Sequence, residues 1–379
     1  MVTRVSPRPS DRRLRRALIG ALALVVIIAG ALVVVLRGAP RTPPLFTTSA
    51  VVSDLTTFTC LTSTHCLGVG INDVEASSDA GATWVPGPSS VSDLGGGNLE
   101  NIQCVDGRCY AVGGGAPVAA VLTSADEHHW LRRDVPQAKS SSGYVWSIWC
   151  QSASECLVGG GEGQNNDPGT LYRTADAGVT WQRIVLPRGA AMVWSISCPS
   201  SRNCVALTGL VPPQVPMGAG TDGYELLSSS DAGRHWSLRW RSTSYTPGVV
   251  SCAASHCVAV VRPNLDQPAI GTGPVMISDD AGVTWRPSSS SSRRPNVVSC
   301  PSRSLCVGLN VTATNERYVG LSRDGGVTWR WQTLGLPAAA GLTYLANNPQ
   351  LQCVSASRCA VLLTSPHSAG EFFVTLSVK

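Results

Sequence analysis

Lysine is almost missing from these 379 residues: only Lys139 and Lys379 occur, against 27 arginines, a bias that fits a GC-rich bacterial genome. Charge of either sign is scarce at 14%, and aromatics make up 6%. Gly 38 and Pro 25 are plentiful, and that mix favours an all-β, turn-rich chain over a helical one. A basic folded domain is also lacking. The first 41 residues hold eight arginines and one acid, Asp11, whereas the remainder has 21 basic and 23 acidic residues. A nucleic-acid partner is therefore excluded. No CxxC spacing occurs, and six scattered histidines offer no four-ligand set, so neither a redox dithiol nor zinc is expected. We expect no metal and no cofactor.

One long stretch carries no charge at all. Ala17 to Leu36 is a 20-residue run of Leu, Val, Ile and Ala with two glycines. As a helix it just spans a bilayer's hydrocarbon core. Arg4, Arg8, Arg12, Arg13, Arg15 and Arg16 precede it, and only Arg37 and Arg41 follow closely. That bias keeps residues 1–16 in the cytoplasm as an arginine-rich tail and sends the rest outside. The competing reading is a cleaved signal peptide, whose apolar region is shorter and ends in a small-x-small site. Val33-Val34-Val35-Leu36-Arg37 offers none, so 17–36 is read as an uncleaved transmembrane anchor in the cell membrane. Residues 37–44 follow as a Pro-rich linker, and 45–379 as the folded domain.

All fourteen cysteines fall into seven close pairs: Cys60/Cys66, Cys104/Cys109, Cys150/Cys156, Cys198/Cys204, Cys252/Cys257, Cys300/Cys306 and Cys353/Cys359. Their recurrence near every 50 residues is the period of propeller blades. Two residues before each first cysteine stand Phe58, Ile102, Ile148, Ile196, Val250, Val298 and Leu351, all apolar. One residue before it the side chain is polar in every case but Trp149. Alternation of this kind marks a strand, and each pair then closes a β-hairpin with its two sulfurs facing across it. Paired cysteines after an export segment fit disulfides in an oxidising compartment. Each would close only a short loop, so the bridges are expected mainly to resist local opening of the hairpins. His65 and His256 each precede a cysteine, a placement read as chance.

A second motif alternates with the first. Ser77-Ser78-Asp79-Ala80-Gly81-Ala82-Thr83-Trp84 recurs at Thr174–Trp181, Ser229–Trp236, Ser278–Trp285 and Ser322–Trp329, with a copy one residue short at Ser124–Trp130. Its acids are Asp79, Asp126, Asp176, Asp231, Asp280 and Asp324, and its indoles Trp84, Trp130, Trp181, Trp236, Trp285 and Trp329. In such a turn Asp accepts backbone N–H bonds, Gly supplies a positive φ, and Trp packs the hairpin onto its blade. These octapeptides resemble the Asp-box, or BNR, repeat of sialidase-like propellers, and the chain is similar to the photosystem II assembly propellers of that type. The resemblance implies a structural role for the acids, on a face away from any ligand. The Arg-Ile-Pro segment of catalytic sialidases is absent; the nearest string is Arg183-Ile184-Val185-Leu186-Pro187.

The seventh repeat lacks an octapeptide and ends at Phe372–Ser377, one strand short, while a spare strand-like segment, Leu45–Val52, precedes the first cysteine. If that segment completes the last blade, seven four-stranded blades close without an open edge. The stretch from second cysteine to octapeptide Asp varies from 13 to 27 residues, whereas the cysteine hairpins stay constant. Variable loops on a constant scaffold carry function, so the ligand is expected on the top face, opposite the hairpin turns. Loops 159–170, 209–223 and 262–274 should form its rim, with Glu162, Asp167, Asp222 and Asp266 as acids. Arg132, Arg133, Arg188, Arg241, Arg293 and Arg294 are read as reaching the same side, with Tyr144, Trp146 and Trp194. The binding set is thus Tyr144, Trp146, Glu162, Asp167, Arg188, Trp194 and Arg241, suited to an envelope protein or glycan. A non-catalytic binding or assembly propeller is the preferred reading. The alternative is a glycoside hydrolase, which needs two carboxylates over one pocket.

Overall fold

A computed structural model describes residues 45–379 apart from positions 54, 70–72, 91–97, 115–119, 137–142, 163–167, 211–222, 264–272, 290–292, 313–315, 335–349 and 364–370. The tail, the apolar run 17–36 and the linker 37–44 lie outside the described residues. Among the described residues no helix is long and apolar enough to cross a membrane.

Residues 45–379 form one unit of seven four-stranded antiparallel sheets, each one blade. The innermost strands are Thr57–Cys60, Asn98–Val105, Tyr144–Cys150, Ala190–Ser197, Tyr245–Ala253, Val297–Ser299 and Gln350–Ser355. Each of them contacts the next, and the last contacts the first, so the ring closes. Closure follows the strand arithmetic of the sequence. Phe46–Ser53 pairs along its whole length with Glu371–Val378 and becomes the outermost strand of blade 7. Gln332, on the outermost strand of blade 6, clamps it. Its Oε1 accepts the N–H groups of Leu45 and Phe46 at 2.7 and 3.2 Å, and its Nε2 donates to the Phe46 carbonyl.

All seven cysteine pairs form disulfides between consecutive cysteines, with Cα atoms 3.9 to 4.1 Å apart. That is the close approach of strand residues facing each other without mutual backbone hydrogen bonds. Their depth adds a packing role to that of resisting local opening of the hairpins. The second cysteine of every pair, Cys66, Cys109, Cys156, Cys204, Cys257, Cys306 and Cys359, is buried to within 2% of completely. Each is part of the apolar packing against the preceding blade. Cys66 lies in the cluster of Leu362 and Phe373, Cys109 in that of Leu67 and Val69, and Cys257 in that of Val205 and Leu207. Cys306 joins Val258 and Val260, and Cys359 joins Val307 and Leu309. The physical reason is position. The second cysteine opens the second strand, which has a strand along each edge, and a neighbouring blade covers its face. These sulfurs are therefore core atoms as well as cross-links, and none of the seven is placed to meet a ligand.

The polar residue before the first cysteine has a role the alternation alone did not disclose. In five of the six polar cases its side chain accepts the N–H of the next blade's first cysteine: Gln103 from Cys150, Ser197 from Cys252, Ser251 from Cys300, Ser299 from Cys353 and Gln352 from Cys60, at 2.7 to 3.1 Å, while Thr59 accepts from Gln352 instead. Trp149, the apolar exception, leaves the junction of blades 3 and 4 without this latch.

The octapeptide turns combine two demands. The residue after Asp takes a positive φ even where it is alanine, as at Ala80, Ala177, Ala232 and Ala281, and the following glycine does so again. The N–H of that first residue donates to the cysteine hairpin of its own blade: Ala80 to Thr64, Ala177 to Ser154, Ala232 to Arg202, Ala281 to Ser255 and Gly325 to Ser304. Both turns of a blade therefore lie at one end, and the variable connections at the other. The glycine also permits close approach. A Cβ on Gly233 would stand 2.7 Å from Leu157 of the preceding blade.

The tryptophans pack on their own blades, as Trp181 does with Val158 and Tyr172, and reach the preceding blade as well. Trp181 packs with Tyr110, Val112 and Val121 of blade 2, and Trp285 with Val205 and Leu207 of blade 4. They fill the seam between neighbouring blades, because a flat sheet needs a partner face on each side. The reading of the two histidines as chance is corrected. His65 meets Glu127 at 2.7 Å, and His256 Nε2 meets the Gly325 carbonyl at 2.9 Å while its Nδ1 meets Asp279 at 2.8 Å. Glu127 and Gly325 both follow the Asp of the next blade's octapeptide, so the two histidines tie equivalent points.

Within a turn, Asp79 accepts from the Thr83 hydroxyl at 2.7 Å and the Thr83 N–H at 2.8 Å, and Asp176 is held in the same way by Thr180. The Thr83 and Thr180 hydroxyls, and after them the same residues' N–H groups, hold these two carboxyls down at about 2. The unfolded carboxyl titrates near 4. A depressed acid stabilises the fold fully above that value and ceases to as pH falls through the folded one. The contribution of these turns should therefore vanish between about pH 4 and pH 2. Carboxyl-carbon NMR titration checks this: midpoints near 2 are expected, moving up in Thr83→Val and Thr180→Val.

Candidate functional site

The register four residues before the first cysteine holds Thr56, Glu100, Trp146, Trp194, Gly248 and Asn296 in blades 1 to 6. In blades 2 to 5 this residue is a β-bulge. Pairing jumps from Leu99↔Gly113 to Asn101↔Val112, from Val145↔Gly160 to Ser147↔Gly159, from Val193↔Thr208 to Ser195↔Leu207, and from Pro247↔Val261 to Val249↔Val260. A bulge leaves one side chain out of the alternation and re-aims it. The neighbours on either side show what that means here. Ser147, Ile148, Ser195 and Ile196 are buried between blades, whereas Trp146 and Trp194 are half-buried. Both stand on an innermost strand, four residues before its first cysteine and toward the end of the blade away from the cysteine hairpin.

The two indoles meet edge to face, centroids 5.2 Å apart and planes at 67°. Glu100 holds the same register on the adjoining innermost strand of blade 2. It is half-buried, and burial pushes its carboxyl above the usual range. Among the described residues no cation pairs with it. Of the six residues at this register it alone is ionisable, because Thr56, Gly248 and Asn296 complete the set. The shared register singles out Trp146 and Trp194 in the sequence, and Glu100, which shares it too, was missing from the expected binding set.

The loop acids and arginines are arranged differently from the expected open rim. Glu162 meets Arg183 at 2.7 Å, so its carboxylate is neutralised by a residue the binding set omitted. Arg241 pairs with Glu225, a fully buried acid in the strand Tyr224–Ser229, whose residues are all buried. Its Nε donates to Glu225 Oε1 at 2.7 Å, and its Nη2 donates to the Arg188 carbonyl at 3.2 Å. Arg188 thus contributes its backbone, while its side chain is exposed. Burial pushes the Glu225 carboxyl up and Arg241 draws it back. Glu225 Oε2 and the hydroxyl of Thr208, its cross-strand neighbour, are buried and have no hydrogen-bond partner among the described residues.

Tyr144 is exposed at the entry to blade 3. Arg132 pairs with Asp134 at 3.1 Å. Arg133 is displaced from the expected rim: its side chain lies beside Gly178, in the octapeptide turn of blade 3, because its strand runs along that seam. Arg293 stacks its guanidinium over Tyr318 at 3.3 Å, and the Arg294 carbonyl accepts from Asn310. Asp167, Asp222 and Asp266 lie outside the described residues, as do the middles of all three long loops. Among the described residues no cluster of His, Cys, Asp and Glu could hold a metal ion. The structure therefore brings Trp146 and Trp194 together, links Arg188 to Arg241, and gives Glu162 its own partner.

No protein-family model and no curated protein matches the chain. Solved structures do. YCF48 bound to a D1 peptide is similar with a TM-score of 0.57 at 15% identity, over 90% of this chain and 99% of that one. The PL25 ulvan lyase reaches 0.55 at 11% identity, over 88% and 95%. The Hadza microbial sialidase Hz136 reaches 0.51 at 14% identity, over 83% and 73%. What these structures share with residues 45–379 is the fold, a β-propeller, at 11 to 15% identity.

Proposed function

We propose that the chain is a non-catalytic binding or assembly propeller, held outside the cytoplasm by the helix 17–36. It takes a protein segment at the mouth of its channel and the loops around it. The observation that carries the reading is the Trp146–Trp194 corner. Two large aromatic side chains, partly buried at bulges of consecutive blades, give the rigid amphipathic surface on which recognition sites are centred. Hydrolysis of a glycoside needs one carboxyl able to give a proton and a second, ionised one nearby. Glu162 and Glu225 each meet an arginine, and Glu100 is the lone acid at its register, so the described residues favour binding over hydrolysis. A propeller of the same fold holding a peptide supports a protein segment as the class of partner. The anchor reading is supported by the arginine-flanked apolar run, and an extracytoplasmic location by seven disulfides.

Full-length protein in detergent, used as bait on an envelope extract, tests this. A Trp146→Ala, Trp194→Ala double variant should lose the captured partner. Val179→Glu, at an exposed octapeptide position on the opposite face, should keep it. Capture that survives the double variant, or fails with Val179→Glu, would assign the wrong face. The chain should also stay in membranes through an alkaline wash, whereas a soluble form beginning near residue 38 would mean cleavage.

A further inference from the structure

The binding reading says where a partner docks and leaves open which chemistry the mouth selects. Three features bear on it. First, the indoles stand at 67° to one another, forming a corner. A sugar ring stacks on one flat aromatic face, whereas a corner of two faces takes the alkyl stem of a long side chain from two sides. Second, the next residue along the same register is a carboxylate, Glu100. A carboxylate half withdrawn from water is ordinarily compensated by a cation or by donated hydrogen bonds. Glu162 and Glu225 have their arginines; Glu100 has no cation among the described residues, and its raised carboxyl reflects burial alone. Third, the register continues from Trp194 to Gly248, so the mouth has no side chain at the position beyond the indole pair.

Resting on the binding reading, we propose that the channel mouth takes a basic side chain of the partner protein, lysine or arginine. Its alkyl stem lies against Trp146 and Trp194, and its charge is received by Glu100. The stem covers apolar indole surface while the head keeps a polar contact, the usual division of labour in a long basic side chain. Glu100 supplies the charge selectivity and the two indoles the contact area. An anionic or neutral segment would leave Glu100 uncompensated, so the mouth discriminates by charge as well as by shape.

The test uses the full-length protein in detergent and three peptides of one length: Gly-Lys-Gly, Gly-norleucine-Gly and Gly-Glu-Gly, with di-N-acetylchitobiose as the glycan probe. Binding is read from the indole N–H resonances of Trp146 and Trp194, assigned by Trp→Phe substitution. Gly-Lys-Gly should shift both resonances and bind about tenfold more tightly than its norleucine counterpart. Glu100→Gln should abolish that preference while leaving the weaker norleucine binding unchanged. Trp194→Leu should weaken both peptides, and Trp331→Leu, on the outer strand of blade 6, neither. If norleucine matches lysine, or the preference survives Glu100→Gln, the mouth binds without selecting charge and this proposal falls while the binding reading stands. If chitobiose moves the indoles and lysine does not, the mouth is a glycan site and the proposal falls. If no probe moves either indole at any concentration, the proposal and the binding reading fall together.

Discussion

Replacing Phe46 by alanine is expected to lower the stability of the ring by about 3–5 kcal/mol, the usual cost of truncating a buried phenylalanine. Its side chain is 1% exposed and packs with Val297, Leu305, Leu309, Val361, Val374 and Leu376. Those residues come from blades 6 and 7, so Phe46 fills the seam beside the closing blade. The effect should exceed that of a comparable truncation elsewhere on the outer strands, most of whose side chains face water. Removing residues 45–53 altogether should be worse. Glu371–Val378 would then become a long open edge, prone to pair with another chain. Chemical denaturation under oxidising conditions, followed by tryptophan fluorescence, measures the first effect, and light scattering of the deletion variant the second. A Phe46→Ala cost under about 1 kcal/mol would mean that closure by this strand contributes little.

Arg241→Met should cost about 3 kcal/mol at pH 8. The substitution leaves the fully buried Glu225 charged and without Arg241, its one ion-pair partner among the described residues, and breaking such a pair is far costlier than the pair itself is stabilising. The side chain of Arg241 is 43% exposed, so the lower part of the usual range applies. The pH dependence has a definite sign. Without the arginine, burial raises the folded carboxyl further above its unfolded value, so the folded state holds its proton more tightly. The penalty is then largest at high pH and shrinks as pH falls through the raised value. Denaturation curves at pH 8 and pH 5 should differ in that direction, and Glu225→Gln combined with Arg241→Met should recover much of the loss. Equal losses at both pH values would mean that Glu225 is not the source.

The fold was legible to an unusual degree because it repeats. Seven cysteine pairs announced seven hairpins, and one spare strand at the N-terminus announced the closure that Phe46–Ser53 supplies. What the repeats could not disclose is what one blade offers the next. Ser197 and Gln103 read only as the polar residues of an alternating strand, and their side chains hold the neighbouring cysteine's N–H. Cys109 and Cys257 read as halves of local clips, and each is packed into the blade before its own. His65 and His256 read as accidents, yet both reach equivalent residues one blade away. The site was legible in part for the same reason. A shared register singled out Trp146 and Trp194, whereas Glu225 sits among apolar strand residues and its link to Arg241 spans sixteen positions. Glu162 looked like a loop acid open to a ligand because nothing in the spacing reveals Arg183 beside it.

The way the last blade is completed also determines how the molecule bears load. Any pull transmitted through residue 45 enters the ring at the Gln332 clamp and the first rungs joining Phe46–Ser53 to Glu371–Val378. Tension directed along the strand would shear all eight rungs at once. Tension directed away from the sheet would peel them singly, starting at Phe46. The same seam is therefore mechanically tough in one direction and yields like a zip in the other, and a single-molecule pull through residue 45 should give two distinct rupture forces.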